Sequence, residues 1–306
     1  MIRLGTRGSA LALAQAALVA ASLRQAGATV EIVPMKTEGD RLLGARLADA
    51  GGKGLFVREI EEALADGRVD VAVHSLKDLP ADPPDGLEVA AYPRRDDPRD
   101  VVVSRAGGGL DALPPGAVLG TSSLRRRAFA LAARPDLDVR PLRGNVDTRL
   151  RKLAEGACDA VLLAAAGLAR LGLAPAHAVP LPADVFVPAV GQGVLAVEVR
   201  SDDAATRRLV AAIDHAPTRA CAVAERACLR RLGASCTTPM AAHAVMDGAR
   251  LAMTAVVASE DGRRLLRVEA AAAPGEAEAL GVRLAESLLE RGAGDLAPLA
   301  PRPGTA

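Results

Sequence analysis

The sequence predicts an α/β fold in which two α/β halves are followed by a smaller C-terminal α+β module. Over the first two thirds of the chain, segments typical of buried strands alternate with helical segments, the order expected of parallel sheets covered by helices. A proline-rich connector, residues 79–98, separates two such sets. After Pro217 the pattern changes to a helix, three short strands and a final helix, which indicates a separate module.

Caps and apolar spacing define the elements of the first half. Ser9 is a helix N-cap, and the Ala- and Leu-rich helix that follows it ends near Gly27. Residues 56–68 form an amphipathic helix with Gly67 as its C-terminal cap. The predicted strands are residues 2–7, 28–35 and 69–75.

The second half repeats the strand-then-helix order, with no internal sequence repeat. Its predicted elements are strand 117–123, helix 123–134, strand 138–145, helix 145–156, the apolar segment 158–170 and a loop with a strand over 186–200. The C-terminal module has predicted helices at 218–233 and 275–292 and predicted strands at 241–247, 250–259 and 263–272.

Composition argues against several classes of protein. Three Phe, one Tyr and no Trp provide few aromatic faces for stacking single-stranded nucleic acid, and a net charge of +1 provides no field for a polyanion. Cys and His are not spaced as zinc ligands or as a disulfide framework, and no stretch approaches about 20 uncharged apolar residues. With no export signal, we expect a cytoplasmic protein without a metal, a membrane or a nucleic-acid partner.

Polar and basic side chains follow four of the predicted strands. Ligands of open α/β sheets bind at the carboxyl ends of the strands, where backbone N–H groups, helix dipoles and guanidinium groups favour carboxylate or phosphate. These clusters therefore predict a cleft for a ligand with several negative charges. For any single cluster, surface arginines of an arginine-rich protein remain an alternative. The clusters are residues 6–9, 74–78, 120–127, and 142–145 with Arg149.

Two further side chains have reactive groups in suitable places. Asp78 adjoins Lys77 at a strand end, where a carboxylate can stabilise a developing positive charge and move a proton. The alternative is that Asp78 only initiates the turn before Pro80. Cys236 lies in a turn-rich loop, where a thiol can be accessible and reactive, although a loop cysteine taken alone is more often inert.

Ten sequence motifs follow one another along essentially the whole chain. They are TRGSALALAQA, GGKGLFVREIE, DVAVHSLKDLP, DDPRDV, GTSSLRRRA, LRGNVDTRL, AGLARLGL, PAVGQG, AERACLRRL and GASCTTP. Together they resemble the porphobilinogen deaminase family, also called hydroxymethylbilane synthase. HSLKDLP, GTSSLRR and RGNVDTRL are highly specific in combination.

The resemblance implies a transferase that joins four porphobilinogen molecules head to tail, releases ammonia and yields hydroxymethylbilane, a linear precursor of haem. It also implies a dipyrromethane cofactor fixed to Cys236 by a thioether, and a monomer. The implied fold has two domains like type II periplasmic binding proteins and a smaller third domain. These domains are residues 1–92 with 193–214, residues 99–187, and residues 217–306.

The resemblance also implies the site residues. Asp78 is the catalytic carboxylate, and guanidinium groups suit the acetate and propionate of each pyrrole because they bind both carboxylate oxygens at once. The implied cofactor- and substrate-binding residues are Arg7, Ser9, Lys53, Phe56, Ser75, Lys77, Thr121, Ser123, Arg125, Arg126, Arg143, Gly144, Asn145, Arg149, Arg170 and Gln192.

Two places depart from the family pattern. Asp49 stands where many members carry lysine, and Thr237 and Thr238 stand where many have glutamine and valine. The thiol and Pro239 are in place, so we expect attachment to Cys236 to survive. Two other hypotheses stay open: a non-catalytic anion-binding receptor, which would not consume porphobilinogen, and a catalytically dead homologue.

Overall fold

The computed structural model describes residues 1–37, 57–235 and 237–299. The strands are β1 (Ile2–Arg7), β2 (Val30–Met35), β3 (Val71–Ser75), β4 (Leu87–Ala91), β5 (Asp100–Ser104), β6 (Val118–Gly120), β7 (Asp138–Arg140), β8 (Ala160–Ala164), β9 (Ala178–Pro180), β10 (Leu195–Arg200), β11 (Met240–Asp247), β12 (Arg250–Ala258) and β13 (Leu265–Ala272). The α-helices are α1 (Ala10–Gln25), α2 (Arg58–Ala65), α3 (Leu124–Ala133), α4 (Val146–Ala154), α5 (Ala165–Arg170), α6 (Ala204–Val210), α7 (Ala216–Leu232) and α8 (Ala277–Glu290).

The chain divides into two compact units. The first unit is Met1–Asp96 with Gly193–Arg219, and the second unit is Asp97–Gln192 with Ala220–Ala306. Each unit therefore consists of two stretches of chain that are far apart in sequence.

The first unit has a five-stranded sheet in the order β2-β1-β3-β10-β4. β1 runs parallel to β2 and β3, whereas β10 runs antiparallel to both β3 and β4. Leu4, Leu23, Val73 and Val197 belong to the apolar core that α1 forms with this sheet. A strand from the second stretch of chain thus lies inside the sheet, between β3 and β4.

The second unit contains a five-stranded sheet built on the same plan, in the order β7-β6-β8-β5-β9. β6 runs parallel to β7 and β8, and β5 runs antiparallel to β8 and β9. The prediction of parallel sheets is therefore wrong in detail, because both sheets are mixed. A helical crossover makes the two strands that it connects parallel. Among the described elements, no such crossover connects β5 or β10 to a neighbouring strand, so both can run antiparallel to their neighbours.

The C-terminal part of the second unit is an antiparallel three-stranded sheet, β11-β12-β13, with α7 and α8. Cys228, Leu232, Leu251, Leu280 and Leu284 are in its core. Burial raises the pKa of the Cys228 thiol to about 12, so this cysteine is an apolar core residue. The predicted fold class, two α/β parts and a smaller α+β part, is confirmed.

Several helix ends lie where the sequence predicts them. The Ser9 hydroxyl accepts a hydrogen bond from the Ala12 N–H at 3.3 Å, and Gly27 and Gly67 have φ values of +91° and +69° just after α1 and α2. Two expectations need correction. The connector 79–98 contains β4, a strand whose partner β10 is remote in sequence, and the segment 158–170 divides into β8 and α5.

Candidate functional site

A pocket opens in the first unit at the carboxyl ends of β1 and β3. Arg7, Ser9, Ser75 and Asp78 are among the residues that line it. Because β1 and β3 are parallel neighbours, the clusters that follow them meet at one edge of the sheet. Beyond Ser75 the chain turns through a short 3₁₀ helix, Leu76–Asp78, in which Leu76 is buried and Asp78 is exposed. This edge therefore offers a cation, two hydroxyls and a carboxylate.

Gln15 on α1 also belongs to this pocket, although the sequence analysis did not single it out. Its side chain is buried, and Nε2 donates a hydrogen bond to the Ser75 hydroxyl at 2.8 Å. The available signal was an amide within the otherwise apolar stretch ALALAQAALVA, since a buried polar side chain needs a partner. Gln15 fixes the orientation of the Ser75 hydroxyl.

In the second unit, hydroxyls follow β6 at the start of α3. Ser123 is the N-cap of α3, and its hydroxyl accepts a hydrogen bond from the Arg126 N–H at 3.4 Å. The Thr121 hydroxyl accepts one from the Ser123 N–H at 3.2 Å, and Thr121 is buried. These bonds order the loop between β6 and α3, where helix N–H groups favour an anion.

The loop after β7 leads in the same way into α4. Gly144 has a φ of +115°, and a Cβ there would lie 2.6 Å from the Thr148 methyl carbon, so the position needs glycine. Asn145 is the N-cap, and Arg149 donates from Nε to the Gly144 carbonyl oxygen at 2.8 Å. Arg143, beside Gly144, is half-buried. Arg143 in the loop and Arg149 in α4 therefore place two guanidinium groups near this helix N-terminus.

Arg125 and Arg126 have a different setting, because both are buried against Asp100 at the start of β5. Arg125 Nη2 lies 2.7 Å from Asp100 Oδ2, and Arg126 Nη2 lies 2.8 Å from Asp100 Oδ1. The two arginines also donate to the Val187 and Leu162 carbonyl oxygens, at 2.8 and 2.9 Å. Both guanidinium groups thus have partners within the second unit. Their contact with a ligand stays a prediction.

Gln192 joins the same buried group. Its Nε2 donates to the Pro98 carbonyl oxygen at 2.7 Å and to Asp100 Oδ1 at 3.2 Å. Burial acts to raise the pKa of Asp100, but the charges of Arg125 and Arg126 outweigh it and hold that pKa below its usual range. Asp100 is therefore an ionised carboxylate that compensates two buried cations, a role the sequence analysis did not assign.

Lys77 and Arg170 are both half-buried, the first in the 3₁₀ helix after β3 and the second at the end of α5. The remaining predicted site residues, Lys53, Phe56 and Cys236, lie outside the described residues, as does Asp49.

The residues that flank Cys236 are tied together. The Ser235 N–H donates to the Thr238 hydroxyl at 3.1 Å, and the Thr238 N–H donates to the Ser235 carbonyl oxygen at 2.9 Å. The Thr238 hydroxyl in turn donates to the Pro298 carbonyl oxygen at 3.1 Å. Thr238, one of the two threonines that depart from the family pattern, is therefore hydrogen-bonded both to Ser235 and to Pro298.

In residues 1–37, 57–235 and 237–299, no three His, Cys, Asp or Glu side chains come together as metal ligands. Within the part of the chain that the structure describes, no helix combines the length and the apolar character needed to cross a membrane.

Two solved structures match part of this chain. A periplasmic substrate-binding protein of an ABC transporter from Coxiella burnetii gives a TM-score of 0.43 at 17% identity, covering 70% of this chain and 92% of its own. A nutrient-binding protein from Burkholderia cenocepacia gives 0.43 at 14% identity, covering 70% and 91%. Both TM-scores are below 0.5, so the fold class is established by the strand order of the sheets and not by these two structures.

Sequence relatives are much more similar to this chain. Residues 2–208 match the family described as "Porphobilinogen deaminase, dipyromethane cofactor binding domain", and residues 219–290 match "Porphobilinogen deaminase, C-terminal domain". A porphobilinogen deaminase from Syntrophotalea carbinolica is 50% identical over 95% of this chain and 93% of its own. One from Desulforudis audaxviator is 51% identical over 95% of both chains. The chain therefore belongs to the porphobilinogen deaminase family, enzymes of tetrapyrrole biosynthesis that form hydroxymethylbilane.

Proposed function

We propose that this chain joins porphobilinogen units on a dipyrromethane primer, with Asp78 as the catalytic carboxylate and Cys236 as the point of attachment. The observation that carries the proposal is the pocket of the first unit, where Asp78 shares an edge of the sheet with Arg7, Ser9 and Ser75. A carboxylate beside a guanidinium and two hydroxyls suits a substrate with both acidic side chains and a pyrrole N–H.

The donor set of the described residues fits a dipyrromethane. Each pyrrole ring carries an acetate and a propionate, so two linked rings present four carboxylates. In the first unit Arg7, Ser9 and Ser75 would bind such groups. In the second unit the N-terminus of α4, with Arg143 and Arg149, would do so.

The reaction sets the task of each residue. In every condensation the aminomethyl C–N bond of porphobilinogen breaks, ammonia leaves, and a C–C bond forms to the free α-carbon of the neighbouring ring, which loses its proton. When bound, the cofactor supplies the first such α-carbon. Asp78 stabilises the positive charge that develops as ammonia leaves, by accepting a hydrogen bond from a pyrrole N–H, and it helps to move protons. Arginines and hydroxyls hold the carboxylates in place.

Replacing Asp78 tests the catalytic assignment. We expect Asp78→Asn to fold, to keep its cofactor and to lose turnover by about 10²- to 10³-fold, the scale of removing one preorganised electrostatic group. The measurement is porphobilinogen consumption with ammonia release. Asp85→Asn is the matched control, because Asp85 is an exposed carboxylate nearby on the chain and should leave turnover unchanged. Near-normal turnover of Asp78→Asn would refute the assignment.

Replacing Cys236 tests the attachment. The intact mass of the purified protein should exceed that of the bare chain by two linked pyrrole rings, on the peptide that contains Cys236. Cys236→Ser should show the bare mass, also after incubation with porphobilinogen, whereas Cys158→Ala should keep the adduct. The same adduct on another residue of Cys236→Ser would contradict the assignment of Cys236 as the point of attachment. A receptor would show neither adduct nor ammonia.

We further propose a monomeric, cytoplasmic enzyme with no nucleic-acid partner, in three domains at 1–92 with 193–214, 99–187 and 217–306. The net charge of +1 and the scarcity of aromatic residues support the absence of a nucleic-acid partner. Light scattering of the cofactor-loaded protein tests the monomer, and a mass of two chains would contradict it.

A further inference from the structure

Three titratable side chains are buried together in the first unit, on three different elements. They are Glu61 on α2, His74 on β3 and Glu198 on β10. The side chains of His74 and Glu198 are 3% and 0% exposed, and His74 Nε2 lies 3.3 Å from Glu198 Oε2. In the antiparallel ladder His74 pairs with Ala196 and Glu198 pairs with Ala72, so both side chains project from the same face of the sheet.

Glu61 reaches this pair from the helix that covers that face. Burial, followed by the charge of Glu198, raises the pKa of Glu61 to about 7, while His74 acts in the opposite direction. Among the described residues, neither carboxyl oxygen of Glu198 nor Oε1 of Glu61 has a hydrogen-bond partner. We call these three residues the buried triad.

Stability does not account for the buried triad. Two carboxyl groups and an imidazole are removed from water with few hydrogen bonds in return, and apolar side chains of similar size would suit such a place at least as well. The neighbouring charges have partners of their own. Arg200 donates to the Leu64 and Val69 carbonyl oxygens, each at 2.9 Å, and Glu88 on β4 pairs with Arg207. A role in the nearby pocket explains the triad better.

The buried triad adjoins the pocket. His74 itself lines the pocket, and the chain continues from it through Ser75 into the 3₁₀ helix that carries Asp78. The N–H of Leu76 in that helix donates to the Val194 carbonyl oxygen, at 3.0 Å, immediately before β10. The 3₁₀ helix that carries Asp78 is therefore held in place where β3 pairs with β10, next to the contact between His74 and Glu198.

We propose that Glu61, His74 and Glu198 are positioning residues that lock the end of β3 against β10 and α2 and thereby hold Asp78 at its place in the pocket. This inference rests on the proposed role of Asp78. None of the three is expected to touch substrate through a reacting atom. Their effect passes through the backbone of residues 75–78.

The variants Glu198→Gln and His74→Gln test the inference in the cofactor-loaded enzyme. Each should lower kcat about tenfold or more while KM for porphobilinogen stays within about twofold, because a displacement of about 1 Å of a catalytic group costs up to 10²-fold. The double variant should be no slower than the worse single variant, because both changes release the same contact. Glu62→Gln is the control, since Glu62 is exposed on α2 beside Glu61.

Hydrogen exchange supplies a readout that does not depend on activity. In Glu198→Gln, the amides of residues 75–79 should exchange at least about fivefold faster, while the strands β1 and β2 keep their protection. Unchanged kcat, or a fall in kcat with no change in this exchange, would overturn the inference. If one of the two single variants does not fold, the kcat and the exchange rates of the other variant test the inference. Normal turnover of Asp78→Asn would refute the proposed role of Asp78. The exchange experiment would still show whether Glu198 holds residues 75–79 in place.

Discussion

Glu61 makes the stability of the first unit depend on pH. Its pKa is about 7 in the folded protein, first because of burial and then because of Glu198, against an ordinary value of 4.5. Between these values the folded chain retains a proton that the unfolded chain releases. The contribution of Glu61 is therefore fully present below pH 4.5, and it is lost as the pH rises through 7.

Glu61→Gln should remove this dependence. From pH 5 to pH 7 the free energy of unfolding of the unmodified protein should fall relative to that of the variant, by at most about 1.4 kcal/mol per pH unit. Urea denaturation at several pH values measures the difference, which cancels the effects of other titrating groups. Glu62→Gln should follow the unmodified protein. Parallel curves for Glu61→Gln and the unmodified protein would contradict the expectation.

Single residues also show where sequence reasoning stops. The motif GTSSLRRRA places Arg125 and Arg126 after a strand, and this placement is right. Their partner Asp100 opens an apolar strand some 25 residues earlier, and no local spacing links a carboxylate to arginines at that distance. Glu198 likewise pairs with His74 across the sheet. Buried charge pairs between remote segments need the topology before they can be predicted.

At the scale of elements, α7 and α8 approach so closely that one position admits only glycine. A Cβ on Gly281 would overlap the Ala224 carbonyl oxygen and lie 2.9 Å from both the Ala227 Cβ and the Cys228 nitrogen. These are backbone and core atoms that cannot turn aside. Gly281→Ala should therefore destabilise the protein by about 1–3 kcal/mol, the usual cost of overpacking, despite the better helix propensity of alanine.

Gly275→Ala is the matched control, because a Cβ at Gly275, just before α8, meets nothing within 4 Å. It should change the free energy of unfolding by less than about 0.5 kcal/mol, as expected for an exposed position. Denaturant unfolding of the two variants gives the comparison. Equal stabilities would mean that the two helices separate without cost.

Elements with strong local signals were predictable, and those defined by remote partners were not. α1 begins after its cap Ser9, and α1 and α2 end just before Gly27 and Gly67, so these three ends follow from the sequence. β4 has five residues inside a proline-rich segment and is a strand because β10 pairs with it. The sequence of residues 158–170 indicates one apolar segment, although the chain changes from strand to helix after Ala164.

At the scale of the whole molecule, two sheets share one strand order although their sequences show no repeat. In each sheet three parallel strands are joined by an antiparallel strand in the fourth place, β10 or β5. Strand–helix alternation predicts the parallel strands, because each is delivered by a local crossover. β10 arrives from another stretch of chain, and β5 is separated from its neighbour β8 by β6 and β7. No pattern within a short window reveals either pairing.

The position of β10 has a consequence for how the protein is made. A ribosome releases β1 to β4 roughly a hundred residues before it releases Leu195–Arg200, yet β10 lies between β3 and β4 in the finished sheet. Until then, β3 and β4 have no common neighbour, and their facing edges remain open to other chains. The first unit therefore completes its sheet only after the five-stranded sheet of the second unit, and a chain that stops after β9 leaves both edges exposed.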